Sequence, residues 1–308
     1  MTSPHFEFEK KRDFGSTIGD SLYFFTRNFR SFLLGFLLYI GPFFLVGALA
    51  MVYTGSKVQS MINNGIPGPE MFAGILVFIP FVIASSLMMI SFVCAMVQKH
   101  QQQTDHPLIE GIWPYIRKNF AATGLAFLTL FLMVALPYGL ILFVAFSLGA
   151  DAAIAIFIVL SLPVLFYLIV PLTIFMVLHV LERNSIGVSL RRAFFLVRDH
   201  WWITFGTYLV ISILASIASY IFMIPAYIIF IIQTLGSIGT GEVSTEFGMW
   251  FGILYACAFL GSLFAGMYQI FGVILQYYSL REQKEGKGLL RRIQEIDKPM
   301  NEGDVQLV

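Results

Sequence analysis

The chain alternates between long apolar runs and short polar segments. Six of these runs are long enough to cross a bilayer as a helix, which takes about 20 apolar residues. They cover roughly residues 31–53, 71–97, 120–148, 153–181, 203–235 and 248–280. None of them alternates with a period of two, which disfavours spanning strands. The pattern therefore predicts an all-α integral membrane protein, with one six-helix membrane domain over residues 1–280.

A polar tail follows the sixth run, over residues 281–308. Its first part, Gly288–Ile296, has the spacing of a short amphipathic helix. Its last ten residues have few apolar side chains, a composition typical of disorder. We expect this tail to be partly disordered and to hold no separate domain.

A repeated joint of polar and aromatic residues precedes every second run. The three joints are Arg27-Asn28-Phe29, Lys118-Asn119-Phe120 and Asp199-His200-Trp201, at intervals of roughly 80–90 residues. The third joint has Asp199 where the others have a base. The spacing predicts three repeated helical hairpins, each preceded by an amphipathic interfacial helix, all with the same orientation.

The first interfacial segment shows this amphipathic pattern most clearly. Its aromatic and aliphatic residues recur every three or four positions, as on one face of a helix; they are Phe14, Ile18, Leu22, Phe25 and Phe29. We favour a structural elbow that sets the angle of the next span. A collar that binds lipid or a partner is the alternative.

The distribution of charge predicts the orientation. Of the 19 Lys and Arg residues, all except Lys57 fall on one side if both termini are placed there with loops 98–119 and 182–202. The positive-inside rule makes that side cytoplasmic. We therefore expect a multi-pass protein of a bacterial inner membrane with both termini in the cytoplasm.

Composition agrees with a membrane protein. Hydrophobic residues make up 58% of the 308 positions and charged residues only 12%, against about 25% charge in soluble domains. The two cysteines, Cys94 and Cys257, both lie in apolar runs, which excludes a disulfide framework. We expect the first run to remain as a signal anchor.

Candidate chemistry within the spans is sparse. No predicted span has Asp, Glu, Lys or Arg near its middle, which argues against ion-coupled transport, proton relays and intramembrane hydrolysis. Gln269 and Gln276 are the costliest polar residues at depth and share one helical face. We expect both to face the bundle interior, either in interhelical hydrogen bonds or in contact with a solute in a cavity.

Metal and cofactor sites are not predicted. His100, Asp105 and His106 are loosely spaced and have no cysteine partner, whereas a metal needs three or four convergent ligands. No phosphate-binding, dinucleotide-binding or nucleophile-elbow motif occurs in its required context. Nothing in the sequence supports nucleic-acid binding.

Three stretches carry a resemblance to a known family. They read FGSTIGDSLYFFTRNF, SIGVSLRRAFFLVRDHWWITFGTYL and YYSLREQKEGKGLLRRI. The chain resembles a bacterial family of six-span proteins that is related to the membrane domain of some glycerophosphodiester phosphodiesterases. Its many phenylalanines suggest a Bacteroidetes-like bacterium. The resemblance implies a six-span fold and transfers no activity. Proteins of this kind are sometimes described as phosphodiesterases or carotenoid oxygenases, and the sequence argues against both. The chain has no room for the soluble barrel with paired carboxylates that such a phosphodiesterase needs. A carotenoid oxygenase needs four histidines around iron, and the five histidines here are scattered.

Three functions remain open from the sequence. We favour an accessory or interaction module without intrinsic enzymatic activity, whose cytoplasmic face contacts membrane lipid and another membrane or cytoplasmic protein. The alternative is a transporter or channel for a neutral or apolar solute, and a lipid-handling enzyme is the third. The candidate lipid or partner contacts are Arg27, Arg30, Arg117, Lys118, Arg191, Arg192 and Arg198. No particular oligomeric state is predicted.

Overall fold

The structure, a computed structural model, describes residues 6–56, 69–102, 109–147, 151–240 and 245–286, together with 288 and 290. Every regular element within these residues is helical. The helices are α1 (Phe14–Arg27), α2 (Phe29–Gly35), α3 (Gly41–Ser56), α4 (Pro69–Gln101), α5 (Trp113–Ser147), α6 (Asp151–Glu182), α7 (Ile186–Val197), α8 (Trp201–Thr240) and α9 (Thr245–Glu285). A π-helical turn over Phe36–Ile40 joins α2 to α3, and a 3-10 turn over Arg198–His200 joins α7 to α8.

Six stretches of these helices are long and apolar enough to cross a membrane, which confirms the predicted all-α class and number of spans. They are Phe29–Leu49, Leu76–Gln101, Trp113–Val144, Ser161–Glu182, Trp201–Gly236 and Gly252–Glu285. α9 runs on to Glu285, so the first residues of the predicted tail belong to the last helix. Apart from residues 286, 288 and 290, the rest of the tail lies outside the described residues, including most of its predicted helix and its last ten residues.

Local sequence explains how the first span is built. The Asp13 side chain caps α1 by accepting a hydrogen bond from the backbone N–H of Ser16 at 2.7 Å. Further on, Pro42 has no N–H to donate to the carbonyl four residues earlier. The helix adjusts with the π-helical turn just before it, in which the Gly41 N–H donates to the Phe36 carbonyl. The span therefore continues through the proline.

Helix α9 lies at the centre of the bundle. It packs against α1, α3, α4, α6 and α8, while consecutive spans also pack in pairs, α3 with α4, α5 with α6, and α8 with α9. Glycines let α8 approach closely: a Cβ added to Gly261 would lie 2.1 Å from the Phe222 ring, and one added to Gly272 would lie 2.5 Å from Ile211. Small residues on α9 thus serve contacts within the chain.

The interfacial helices differ in detail from the predicted pattern. Separate amphipathic helices, α1 and α7, precede the first and fifth spans. In the second unit, Trp113–Phe120 forms the first two turns of the spanning helix α5 itself. No separate helix precedes α5 in the described residues 109–112. The threefold repeat with an interfacial helix in every unit therefore stays a prediction.

Helix α1 contacts the bundle through a face that is partly polar and partly aromatic. Thr17, Ser21 and Phe24 are buried, and Phe24 stacks on Phe271 of α9 with ring centroids 4.4 Å apart. On the apolar face that the spacing predicts, Phe14 and Leu22 are 42% and 50% exposed and Phe25 is 8% exposed. The hydroxyls of Thr17 and Ser21 donate to carbonyls one turn earlier, so they pack at little cost.

One end of the bundle gathers both ends of the described chain. The segment 6–13, the end of α4, the start of α5, the α6–α7 connection and the end of α9 all meet there. We call it the basic end, because it carries Arg12, Lys118, Arg192 and Arg281. Phe8 and Arg12 are only 3% and 5% exposed within it, so these two side chains anchor segment 6–13 in the protein.

Candidate functional site

An open cavity of about 610 Å³ lies between α4, α5, α6, α8 and α9. Its walls are almost wholly apolar, with Met89, Leu130, Leu168 and Ile270 among the lining residues. Met89 lies 12 residues before the end of α4, which is roughly 18 Å along the helix axis. The cavity, called the intramembrane cavity below, therefore lies near the middle of the spans.

Three polar side chains, Thr173, Tyr208 and Gln269, line the intramembrane cavity. The Thr173 hydroxyl donates to the Ile169 carbonyl of its own helix at 2.7 Å. The Gln269 amide nitrogen donates to the Ser212 hydroxyl of α8 at 2.9 Å. The Gln269 side-chain oxygen accepts no hydrogen bond from the described part of the chain. It is therefore available to a donor in the cavity.

Gln276 borders a smaller space beside the intramembrane cavity. This space has a volume of about 10 Å³ and shares Thr173, Tyr208 and Val273 with the larger cavity. Gln276 is 6% exposed, and its amide nitrogen donates to the Thr204 hydroxyl at 3.2 Å. The two glutamines that the sequence places on one face thus both bond from α9 to α8. Only Gln269 reaches the large cavity.

A group of ion pairs closes the basic end. Arg192 of α7 donates to both carboxylate oxygens of Glu285, at 2.6 and 2.9 Å, and pairs with Glu182 at 3.1 Å. The Tyr277 hydroxyl donates to the same Glu182. Arg192, Glu182 and Glu285 all lie less than a quarter exposed. This group joins α6, α7 and α9 between the spans and the surrounding water.

The N-terminal segment adds a second group of contacts at the same end. Arg281 of α9 pairs with Glu9 and lies over the Tyr278 ring, 4.9 Å from its centroid. Arg12, only 5% exposed, pairs with Asp20 at 2.8 Å and donates to the Phe8 carbonyl at 2.8 Å. These charges hold segment 6–13 against the end of α9.

The predicted lipid or partner contacts divide into two sets. Six of the seven basic residues are exposed at the surface, and they are Arg27, Arg30, Arg117, Lys118, Arg191 and Arg198. Arg192 is half-buried and bound by carboxylates of its own chain. Its guanidinium is therefore used inside the protein, unlike that of its neighbour Arg191.

The pKa values of three groups outside the spans are shifted by hydrogen bonds, by a neighbouring charge or by burial. The hydrogen bond and charge of Lys284 lower the pKa of Asp199. The hydrogen bonds from Ser16 lower the pKa of Asp13 at the start of α1. Burial lowers the pKa of Arg183, which directly follows α6.

Metal-ligating residues do not converge in the described part of the chain. No group of three or more His, Cys, Asp or Glu side chains there could hold a metal ion. Asp105 and His106 lie outside the described residues. His179 lies within hydrogen-bonding distance of the Ser189 hydroxyl, at 3.2 Å, and so contributes to the contact between α6 and α7.

Several residues of the basic end are not singled out by the sequence. Phe8 and Arg12 fall in a segment that reads as a polar tail, yet both are buried. The alternation Phe6-Glu7-Phe8-Glu9 is the one available signal, because it places two aromatic rings on one side of an extended chain. Arg183 and Asn119 give no such signal, since their pairing joins residues 64 positions apart.

Comparison with known proteins adds no relative: no family model, curated protein or solved structure matches this chain.

Proposed function

We propose that this protein binds a neutral or apolar solute within the bilayer and carries it, using the intramembrane cavity as the binding site. The observation that supports this proposal is the cavity itself. Its volume of about 610 Å³ falls in the range of roughly 300–1,000 Å³ that small-molecule sites occupy. Of the two main functions that the sequence leaves open, the geometry favours the transporter.

The chemistry of the lining limits the solute. The described lining contains no Asp, Glu, Lys, Arg, His or Cys. A charged solute would have no counter-ion there, and a charge at this depth is costly. The free side-chain oxygen of Gln269 suits a hydroxyl or amide donor. The expected solute is therefore a long apolar molecule with at most one or two neutral polar groups, and the proposed role involves no catalysis.

An accessory role remains a second candidate, supported by the surface of α7 and the start of α8. Phe195 and Trp202 are 56% and 73% exposed there, and the exposed Arg191 and Arg198 lie beside them. Exposed aromatic and basic side chains together favour contact with an anionic membrane surface. In both candidate functions we propose that the basic end faces the cytoplasm of a bacterial cell. We also propose that the chain is related to the membrane domain of some glycerophosphodiester phosphodiesterases.

Cross-linking can test the cavity directly. The protein is placed in lipid nanodiscs with a long-chain fatty alcohol that carries a diazirine at mid-chain, illuminated, and digested for mass spectrometry. Leu130→Trp fills the cavity from α5. Leu128→Trp is the matched control, because Leu128 lies two residues away on the same helix and is 51% exposed outside the cavity lining.

The expected result is adducts on Met89, Met176 and Ile270, reduced about tenfold or more by Leu130→Trp and unchanged by Leu128→Trp. Adducts spread over outward-facing residues such as Leu162 and Phe166, with equal yields in both variants, would contradict a bound solute. Binding without movement between leaflets, measured with a fluorescent alcohol, would restrict the proposal to solute binding.

A further inference from the structure

A polar pocket of about 390 Å³ lies at the basic end, away from the intramembrane cavity. It is formed by the last turns of α4, the first turns of α5 and the residue that follows α6. Its lining residues within the described part of the chain are Gln98, Gln101, Gln102, Pro114, Tyr115, Lys118 and Arg183. Two of these are cations, three are amides and none is a carboxylate.

Arg183 fixes the orientation of the Gln98 amide through the side chain of Asn119. An arginine side chain can only donate hydrogen bonds, and the Arg183 guanidinium donates to the Asn119 side-chain oxygen at 2.9 Å. The Asn119 amide nitrogen must therefore point the other way, where it donates to the Gln98 side-chain oxygen at 3.0 Å. The Gln98 side-chain oxygen is therefore occupied, and its amide nitrogen remains as a hydrogen-bond donor.

The side-chain oxygens of the other two amides also face donors of the protein. The Tyr115 hydroxyl donates to the Gln102 side-chain oxygen at 2.5 Å, and the Tyr278 hydroxyl donates to the Gln101 side-chain oxygen at 3.3 Å. All three glutamine oxygens that border the pocket are thus occupied by donors from the protein. None of the three amide nitrogens donates a hydrogen bond within the described part of the chain.

We propose that this pocket binds a phosphate group through Lys118, Arg183 and the amide nitrogens of Gln98, Gln101 and Gln102. Such a set offers N–H donors and two positive charges, which suits an anion with several acceptor oxygens. Glu182, which directly precedes Arg183, is already bound by Arg192 and Tyr277. The proposal is independent of the intramembrane cavity and its solute.

The pocket lies where both a lipid headgroup and a soluble phosphate can enter it. Trp113, 50% exposed, begins α5 beside Pro114 and Tyr115, and tryptophan at the end of a span is typical of the headgroup level. Basic pockets between spanning helices accept anionic lipid headgroups. A soluble phosphate or phosphate ester could supply the same chemistry from the water.

A charge-matched set of variants tests the pocket. Lys118→Gln removes one positive charge from the lining. Gln102→Glu keeps an oxygen for Tyr115 but replaces the free amide nitrogen with a negatively charged oxygen. Arg117→Gln is the control, because Arg117 is the exposed neighbour of Lys118, does not line the pocket and gives the same change in net charge. All three positions are exposed, and size-exclusion chromatography verifies folding.

The full-length protein in a neutral detergent is titrated with phosphatidylglycerol or with inorganic phosphate, and bound molecules are counted by native mass spectrometry. One molecule should bind tightly, with affinity reduced about tenfold in Lys118→Gln and Gln102→Glu and unchanged in Arg117→Gln. Binding of the lipid alone assigns the site to a headgroup, binding of inorganic phosphate assigns it to a soluble anion, and both support the proposal. No saturable binding, or an equal loss in Arg117→Gln, overturns it.

Discussion

Two hydrogen bonds join Arg12 to Ser279, residues 267 positions apart. The backbone N–H of Arg12 donates to the Ser279 hydroxyl oxygen at 3.0 Å, and that hydroxyl donates to the Arg12 carbonyl, also at 3.0 Å. Ser279 is fully buried and Arg12 is 5% exposed. A single hydroxyl thus satisfies both backbone groups of the residue at which segment 6–13 enters the bundle.

Ser279→Ala should destabilise the protein by about 1–3 kcal/mol, because it leaves a buried N–H and a buried carbonyl without partners. The measurement is the free energy of unfolding in mixed detergent micelles titrated with SDS. Limited proteolysis near residues 6–13 should also become faster.

Ser85→Ala is the matched control for that substitution. Ser85 is equally buried, but its hydroxyl donates to the Phe81 carbonyl of its own helix at 2.7 Å, and that carbonyl keeps its backbone hydrogen bond. We expect a change within about 0.5 kcal/mol. Equal losses in both variants would show that Ser279 does not hold the N-terminal segment.

Arg192→Gln should cost about 1–3 kcal/mol of stability, because it leaves the carboxylates of Glu182 and Glu285 close together without their shared cation. Arg191→Gln, one residue earlier and exposed, should change stability by less than about 0.5 kcal/mol. Thermal unfolding of both variants in detergent gives the comparison. A ranking with Arg191→Gln as the more damaging change would refute the role assigned to the ion pairs.

The hydrogen bond between Gln269 and Ser212 should give a measurable coupling energy. In a double-mutant cycle with Gln269→Leu and Ser212→Ala, we expect about 0.6 kcal/mol, and at most about 1.7 kcal/mol, as for polar pairs in other helical membrane proteins. The readout is the free energy of unfolding of the four proteins. A coupling of zero would show that this hydrogen bond does not stabilise the contact between α8 and α9.

The ion pair between Asp199 and Lys284 should make stability depend on pH in the acidic range. Lys284 lowers the pKa of the Asp199 carboxyl in the folded protein, so the pair stabilises the fold above the ordinary aspartate pKa of about 3.9 and the contribution is lost as the pH falls below it. Asp199→Asn should therefore lower the melting temperature at pH 7. The difference from the unsubstituted protein should shrink as the pH falls below about 3.9, and a difference that stays constant through that range would exclude this explanation.

The number and course of the spans follow from the sequence, because apolar length alone decides whether a helix crosses a bilayer. Which side of each helix faces its neighbours does not follow, since lipid is as apolar as the protein interior. Leu128 and Phe131 of α5 are more than half exposed, although their sequence looks like that of any buried helix. The intramembrane cavity is invisible to the sequence for the same reason.

Polar residues behave differently, because an unpaired polar group within the bilayer is costly. Gln269 and Gln276 stand out in an apolar run, and both hydrogen-bond to α8 in the structure. At the basic end this signal disappears, because charged residues are ordinary near water. Arg183 and Lys118 therefore give no hint that they border one pocket, and only the fold brings them together.

The central position of α9 has a consequence for the order in which the protein can be completed. Ribosomes add about 5–20 residues per second, so Ser279 emerges roughly 15–50 s after Arg12. During that interval α3, α4 and α6 have been made, but the helix against which they pack does not yet exist. Until α9 is made, the surfaces of the earlier spans that will contact it are covered by lipid or by an insertion factor. A truncation within α9 would therefore remove a packing partner of α3, α4, α6 and α8 at once.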